Sequence, residues 1–216
     1  MRLAIAALLA VSAGLVLPNA AEAAGVGWSL RAGGIGTDYE KHGNAGGSLF
    51  HRHLDLEGGI GPYAAAELRL DRRFGVELSA AQLDLDAHYI VTETVPISFN
   101  PTVLREVTVY EADGKYTLKP LALALLVHLR PDHKVSAYFG PQVARVSFAN
   151  NLDSGPRKDE MGYGGKAGVE VRFGDGPWGA AAEVGRLEIQ HESTDHDLYG
   201  NVGLSTASVL LVFRGR

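Results

Sequence analysis

The feature that most constrains this chain is a two-residue alternation of side chains, repeated along its whole length. Ile60, Pro62, Ala64, Ala66, Leu68 and Leu70 fall on one face, and Gly61, Tyr63, Ala65, Glu67 and Arg69 on the other. Phe74, Val76, Leu78 and Ala80 oppose Gly75, Glu77 and Ser79; Leu121, Leu123, Leu125, Val127 and Leu129 oppose Ala122, Ala124, Leu126, His128 and Arg130. Ala167, Val169, Val171 and Phe173 oppose Lys166, Gly168, Glu170 and Arg172, and Trp178, Ala180, Ala182 and Val184 oppose Gly179, Ala181, Glu183 and Gly185. Successive side chains of a strand point to opposite sides, so this period specifies β-structure, and none of these stretches has apolar residues at helical spacing. Strands are read at roughly 26–37, 58–70, 74–86, 117–130, 135–148, 162–173, 178–190 and 201–213.

The connections alternate as well. Asp71-Arg72-Arg73, Pro131-Asp132-His133-Lys134 and Gly174-Asp175-Gly176-Pro177 are tight and rich in turn formers. The segments 38–57, 87–116, 149–161 and 191–200 are long and polar. Short turns at one end and long loops at the other describe an all-β, eight-stranded antiparallel up-and-down transmembrane β-barrel, with periplasmic turns and extracellular loops. An even strand count brings both termini to the periplasmic side. Tyr89-Ile90-Val91 and Val107-Thr108-Val109 give the longest connection the makings of an extracellular hairpin.

The N-terminus agrees with export. Met1-Arg2 precedes an apolar run from Leu3 to Leu17, broken by Pro18-Asn19 and followed by Ala21-Glu22-Ala23, which has the small–x–small form of a signal peptidase site. Residues 1–23 are therefore expected to be a signal peptide and 24–216 the outer-membrane barrel domain. The next longest apolar stretch, Leu121 to Leu129, contains His128 and is too short for a spanning helix. The chain has no cysteine, which excludes disulfides and thiolate chemistry, and its net charge of −5 offers no basic footprint for nucleic acid.

In lipid the apolar face turns outward and the polar face inward. The inward set then holds Glu67, Glu77, Glu170 and Glu183 against Arg31, Arg69, Lys166 and Arg172. Four acids and four bases in a narrow lumen predict a salt-bridge network, since buried charges persist only when paired. Trp28, Phe74, Phe148, Tyr163, Phe173, Trp178 and Phe213 cluster near strand ends, as interfacial girdles do. Three strands change pattern, after Ala80 to Leu83 and Leu85, after Val143 to Val146 and Phe148, and after Val184 to Leu187 and Ile189. Such shifts mark either β-bulges or ribbon that has left the membrane. Val209-Leu210-Leu211-Val212 does not declare its faces.

Phe74-Gly75-Val76-Glu77-Leu78-Ser79-Ala80-Ala81 resembles the "GVELLAA" segment of OmpW-like outer-membrane proteins. Lys119-Pro120-Leu121 onward is similar to their "LPPTLL" strand, and Tyr138-Phe139-Gly140-Pro141-Gln142-Val143 to their "PYVGAGVNY" strand. Leu30-Arg31-Ala32-Gly33 matches their "RAG". The resemblance implies an eight-stranded barrel with a narrow, partly hydrophobic lumen that passes small hydrophobic molecules across the outer membrane. It departs from the family at its end, where Phe213 is followed by Arg214-Gly215-Arg216.

The long connections also carry residues suited to two other chemistries. His191-Glu192-Ser193 with Asn201-x-Gly203 resembles the His-x-Ser motif of lipid A deacylase barrels, but Ser205 stands where that family places the acid that orients the histidine. An ordinary rim histidine is the better reading, and no enzymatic activity is expected. His42, His51 and His53 with His191, Asp195, His196 and Asp197 have the donor types for zinc or copper, yet exposed loop histidines are usually only polar, so neither metal nor cofactor is expected. The expected partners are outer-membrane lipids and lipopolysaccharide, and a small hydrophobic ligand; the barrel is expected to be a monomer. A structural or adhesion barrel acting through its loops is the alternative.

Overall fold

The computed structural model describes residues 27–42, 45–46, 50–97, 100–150, 158–191 and 200–215. The expected signal peptide lies outside them, as does Ser193 of the His-x-Ser motif; the side chains of His42, His51, His53 and His191 are likewise outside the description. The strands are β1 (Gly27–His42), β2 (Ala45–Gly46), β3 (Phe50–Arg69), β4 (Phe74–Ala81), β5 (Leu83–Ile97), β6 (Asn100–Leu129), β7 (Val135–Asn150), β8 (Lys158–Arg172), β9 (Trp178–His191) and β10 (Gly200–Gly215). β4 and β5 are one stave interrupted at Gln82, and β2 is a two-residue addition to the edge of β3. All pairings are antiparallel, and β1 pairs both β10 and β3, which closes eight staves into a barrel. Closure leaves no free sheet edge for lipid to satisfy.

The strands run further than the alternation indicated. β1 continues to His42 and β3 starts at Phe50, while β5 and β6 stay paired from Leu83↔Leu118 to Ile97↔Asn100. The expected hairpin is therefore present, with Tyr89↔Ala112 and Val91↔Tyr110 in its ladder. Beyond hydrocarbon neither face needs to be apolar, so the hydropathy signal fades while backbone pairing persists.

The three pattern changes are not bulges. Register between β7 and β8 is unbroken from Val135↔Val171 to Phe148↔Lys158, and between β8 and β9 from Gly162↔Ile189 to Arg172↔Gly179. The β3 pairings Tyr63↔Ala81 and Ile60↔Asp84 also belong to one register. The geometric period never breaks; only the polarity of the two faces exchanges. A real register shift falls instead between Glu57 and Ile60, at Gly58-Gly59. Phe148 is a related correction: parity turns it inward against the apolar core, so it belongs to no girdle.

At the short-turn end the girdle is present. Trp28 and Trp178 flank Phe213 with ring centroids 5.7 and 4.9 Å away. Phe74 and Phe173 are half-exposed at the same end, where amphipathic rings meet headgroups. The Asp71 carboxylate accepts the Arg73 and Phe74 amides at 2.6 and 2.7 Å, which closes the β3–β4 turn and holds the acid below the usual carboxylate range. Gly174 supplies the left-handed residue (φ 64°) of the β8–β9 turn. In the final strand, Val209 and Leu211 face outward at 73% and 52% exposure, and Leu210 and Val212 face inward.

Candidate functional site

The lumen has two storeys. The lower one, toward the short turns, is built from charged residues that strand parity drives inward. Arg31 of β1 lies at its centre with no exposed side-chain surface. One guanidinium nitrogen sits 2.5 Å from Glu67 of β3; the other pairs with Glu77 of β4 and lies 3.2 Å from Glu183 of β9. Glu170 of β8 is 3.9 Å away. Four strands thus present carboxylates to one cation, which also stacks 4.5 Å above the Tyr138 ring. Lys166 of β8 shares the load, with its ammonium 2.6 Å from Glu77 and 2.8 Å from both Glu183 and the Tyr63 hydroxyl. Glu67 is further bonded to His128 Nε2 at 2.6 Å, to Ser29 Oγ at 3.2 Å and to Arg69 Nε at 3.3 Å.

All eight residues expected in the lumen point into it, but they divide. Arg31, Glu67, Glu77, Lys166 and Glu183 form the inner layer. Arg69, Glu170 and Arg172 stand at the short-turn mouth, where Arg214 joins them through an ion pair to Glu170. The alternation puts Tyr63 and His128 on the inward face without counting them in the network, and it does not single out Tyr138, Arg214 or Ser29. His128 has the parity of the inward face but counts as neutral in the formal charge, and so falls outside a tally of acids and bases. Two glycines make the packing possible: a Cβ at Gly168 would lie 2.5 Å from the Tyr138 ring, and one at Gly75 would collide with Glu67.

This layer is a dry septum. The side chains of Arg31, Glu67, Glu77, Glu170 and His128 have no surface that water reaches. Ions so desolvated are stable only when paired: Glu67, Glu77 and Glu183 each meet several donors and Glu170 lies among arginines, and removing one partner from such a set typically costs about 3–5 kcal/mol. Straight aqueous passage is blocked at this level.

The upper storey is apolar. Leu83, Leu85, Leu118, Val146, Ile189 and Leu204 are all within 1% of complete burial. Where the storeys meet lies a cavity of about 40 Å³, floored by Tyr63, Ser79, Lys166 and Glu183 and walled by Ile35, Leu83, Leu187 and Leu204. That is room for a few waters and far less than the several hundred Å³ of a typical ligand pocket.

The cavity wall includes Ala80, Ala81 and Pro120, beside a weak seam in the sheet. Gln82 interrupts the β4/β5 stave; its amide donates to the Pro62 carbonyl at 3.1 Å, but Pro62 has no N–H to return. On the other side the β6 ladder passes from Ala80↔Leu121 to Leu83↔Leu118, skipping the step that holds Pro120.

Residues 4–213 match the family model of the outer membrane protein beta-barrel domain. No curated protein matches the chain. Among solved structures, outer membrane protein OprG from Pseudomonas aeruginosa is similar at 11% identity and TM-score 0.53, covering 88% of this chain and 96% of its own. Neisserial surface protein A follows at 10% identity and TM-score 0.52, covering 87% and 95%. Outer Membrane Protein W of E. coli aligns at 16% identity and TM-score 0.42 over 87% and 97%.

Proposed function

The chain belongs to the outer membrane protein beta-barrel domain family, and from that premise we propose that it carries small hydrophobic molecules from the extracellular side into the membrane by a lateral path. The observation that carries this reading is the stacking of an apolar upper lumen on a dry ionic septum. A hydrophobic solute entering from the loops meets leucine, isoleucine and valine, then a floor of buried charge it has no means to cross. The wall offers the other exit. Around Pro62, Gln82 and Pro120 the sheet lacks donors on both sides of one stave, at the height where the outward face passes from Ala80 to Gln82. Parting strands there breaks fewer hydrogen bonds than elsewhere, and releases the solute at the upper edge of the hydrocarbon. Because the cavity is small, Leu83, Leu187 or Leu204 must shift to admit a solute.

A cysteine pair at Pro62→Cys and Gln82→Cys tests the path. With the crosslink formed, uptake of a fluorescent apolar probe into proteoliposomes should fall to the protein-free rate, and reduction should restore it. Uptake unaffected by the crosslink would refute the lateral exit. A second reading, a structural or adhesion barrel, is favoured by the β5–β6 ribbon, paired as far as Ile97↔Asn100. Removing residues 92–108 separates the two: carriage needs only the barrel and should survive, whereas surface contact should be lost.

A further inference from the structure

The lower lumen is unevenly charged. Its inner layer sets Arg31 and Lys166 against Glu67, Glu77 and Glu183, whereas the mouth sets Arg69, Arg172 and Arg214 against Glu170, with Glu67 of the inner layer 3.3 Å from Arg69. Arg69 and Arg172 are within electrostatic range of each other and of Arg214. Glu170 serves Arg69 at 3.9 Å, pairs with Arg214 and also faces Arg31. Arg172 turns one nitrogen to the Pro131 carbonyl, with Asp132 of the adjoining turn as its other acidic neighbour.

Donors remain over. Arg172 Nε, Nε and Nη1 of Arg214 and the hydroxyl of Ser136 are buried without a partner, and Arg69 Nη2 and Arg214 Nη2 meet Glu170 as ion pairs without hydrogen-bond geometry. Ser136 is 2% exposed and pairs across the sheet with Glu170, so its hydroxyl opens onto the same space. Buried donors without acceptors and clustered like charges are each destabilising, and one anion relieves both. Planar guanidinium forks suit tetrahedral oxyanions, which they bind in bidentate fashion. Around the mouth Arg73, Arg130 and Lys134 are exposed, with no ion pair among the described residues, and raise the local concentration of anions.

We propose that the periplasmic mouth of the lumen is a binding site for a phosphate-type oxyanion, held by Arg69, Arg172 and Arg214 with Ser136 donating beside them. The anion is free phosphate or the phosphate of a phospholipid headgroup. It balances the surplus positive charge and completes the septum from below.

The test is calorimetric titration of inorganic phosphate into the full-length barrel in maltoside micelles. One-to-one saturable binding is expected, weakened roughly tenfold or more by Arg214→Gln or Arg172→Gln and unchanged by Arg73→Gln. Arg172 makes no contact with the septum carboxylates, so its variant keeps the test intact should Arg214→Gln fail to assemble. Absence of saturable binding, or equal weakening by Arg73→Gln, overturns the site in favour of diffuse surface charge. Repeating the titration in phosphatidylglycerol nanodiscs assigns the source. Loss of phosphate binding there identifies the headgroup as occupant, retained binding identifies the free anion, and either outcome upholds the site.

Discussion

The lower and upper halves of this barrel share the same staves and the same register, yet they are inside out relative to each other. Below, Leu121, Leu123 and Leu125 face outward about half-exposed, while Glu77, His128 and Glu170 are buried within. Above, Lys119, Arg145 and Arg186 face outward, and Leu118, Val146 and Leu187 are buried within. The exchange falls within a residue pair on each strand: Leu121 to Lys119, Val143 to Arg145, Val184 to Arg186. The register does not change there. What changes is the medium outside, hydrocarbon below and water above, and each half places its apolar side chains accordingly. The nine residues from Leu121 to Leu129, tilted at about 3.3 Å each, span roughly the height of a barrel's apolar belt.

Substitutions break or sharpen this contrast in order of size. Arg31→Ala, which strips the shared cation from Glu67, Glu77 and Glu183, should cost about 3–5 kcal/mol in urea unfolding of the refolded barrel. Val169→Arg puts a charge on the lipid face of β8 and should cost about 2–4 kcal/mol, read as reduced membrane assembly. Its neighbour Glu170→Gln points inward and should still insert; equal tolerance at the two positions would contradict the face assignment. In the upper lumen Ile189→Val should cost about 1 kcal/mol, a core-like penalty that a water-filled vestibule would not exact. On the upper outer surface Arg186→Ala, removing a 2.8 Å pair with Glu188, should stay within about 0.5 kcal/mol. The Ser147 hydroxyl and Arg145 hold Asp159 below the usual carboxylate range. Its contribution is therefore present at neutral pH and fades only as pH falls through that lowered value, which carboxyl NMR titration checks.

Much of this was readable from periodicity. The lumen charges were placed by parity alone, because each of the eight sits on the face opposite a run such as Ala64-x-Ala66-x-Leu68 or Val169-x-Val171. The girdle residues Trp28, Phe74, Phe173, Trp178 and Phe213 were legible from their place near strand ends. Partnership was not. That Arg31 gathers glutamates from β3, β4, β8 and β9 depends on closure across the barrel, and no local pattern encodes it. The same holds for Tyr63 and Tyr138, whose hydroxyls reach Lys166 and Glu183 from far apart in the chain. The pattern changes near Ala80, Val143 and Val184 were legible as events but not in kind, since a change of surrounding medium and a change of register leave the same mark on hydropathy. Tracking parity through them would have separated the two.

Nitroxide labels along one stave test the inversion most directly. In lipid bilayers, labels at Leu121, Leu123 and Leu125 should be relaxed by oxygen and shielded from a water-soluble nickel complex, whereas labels at Thr117 and Lys119 should show the reverse. Oxygen-dominated relaxation continuing through Lys119 and Thr117, or nickel access at Leu123, would contradict a barrel whose faces exchange solvent at that height.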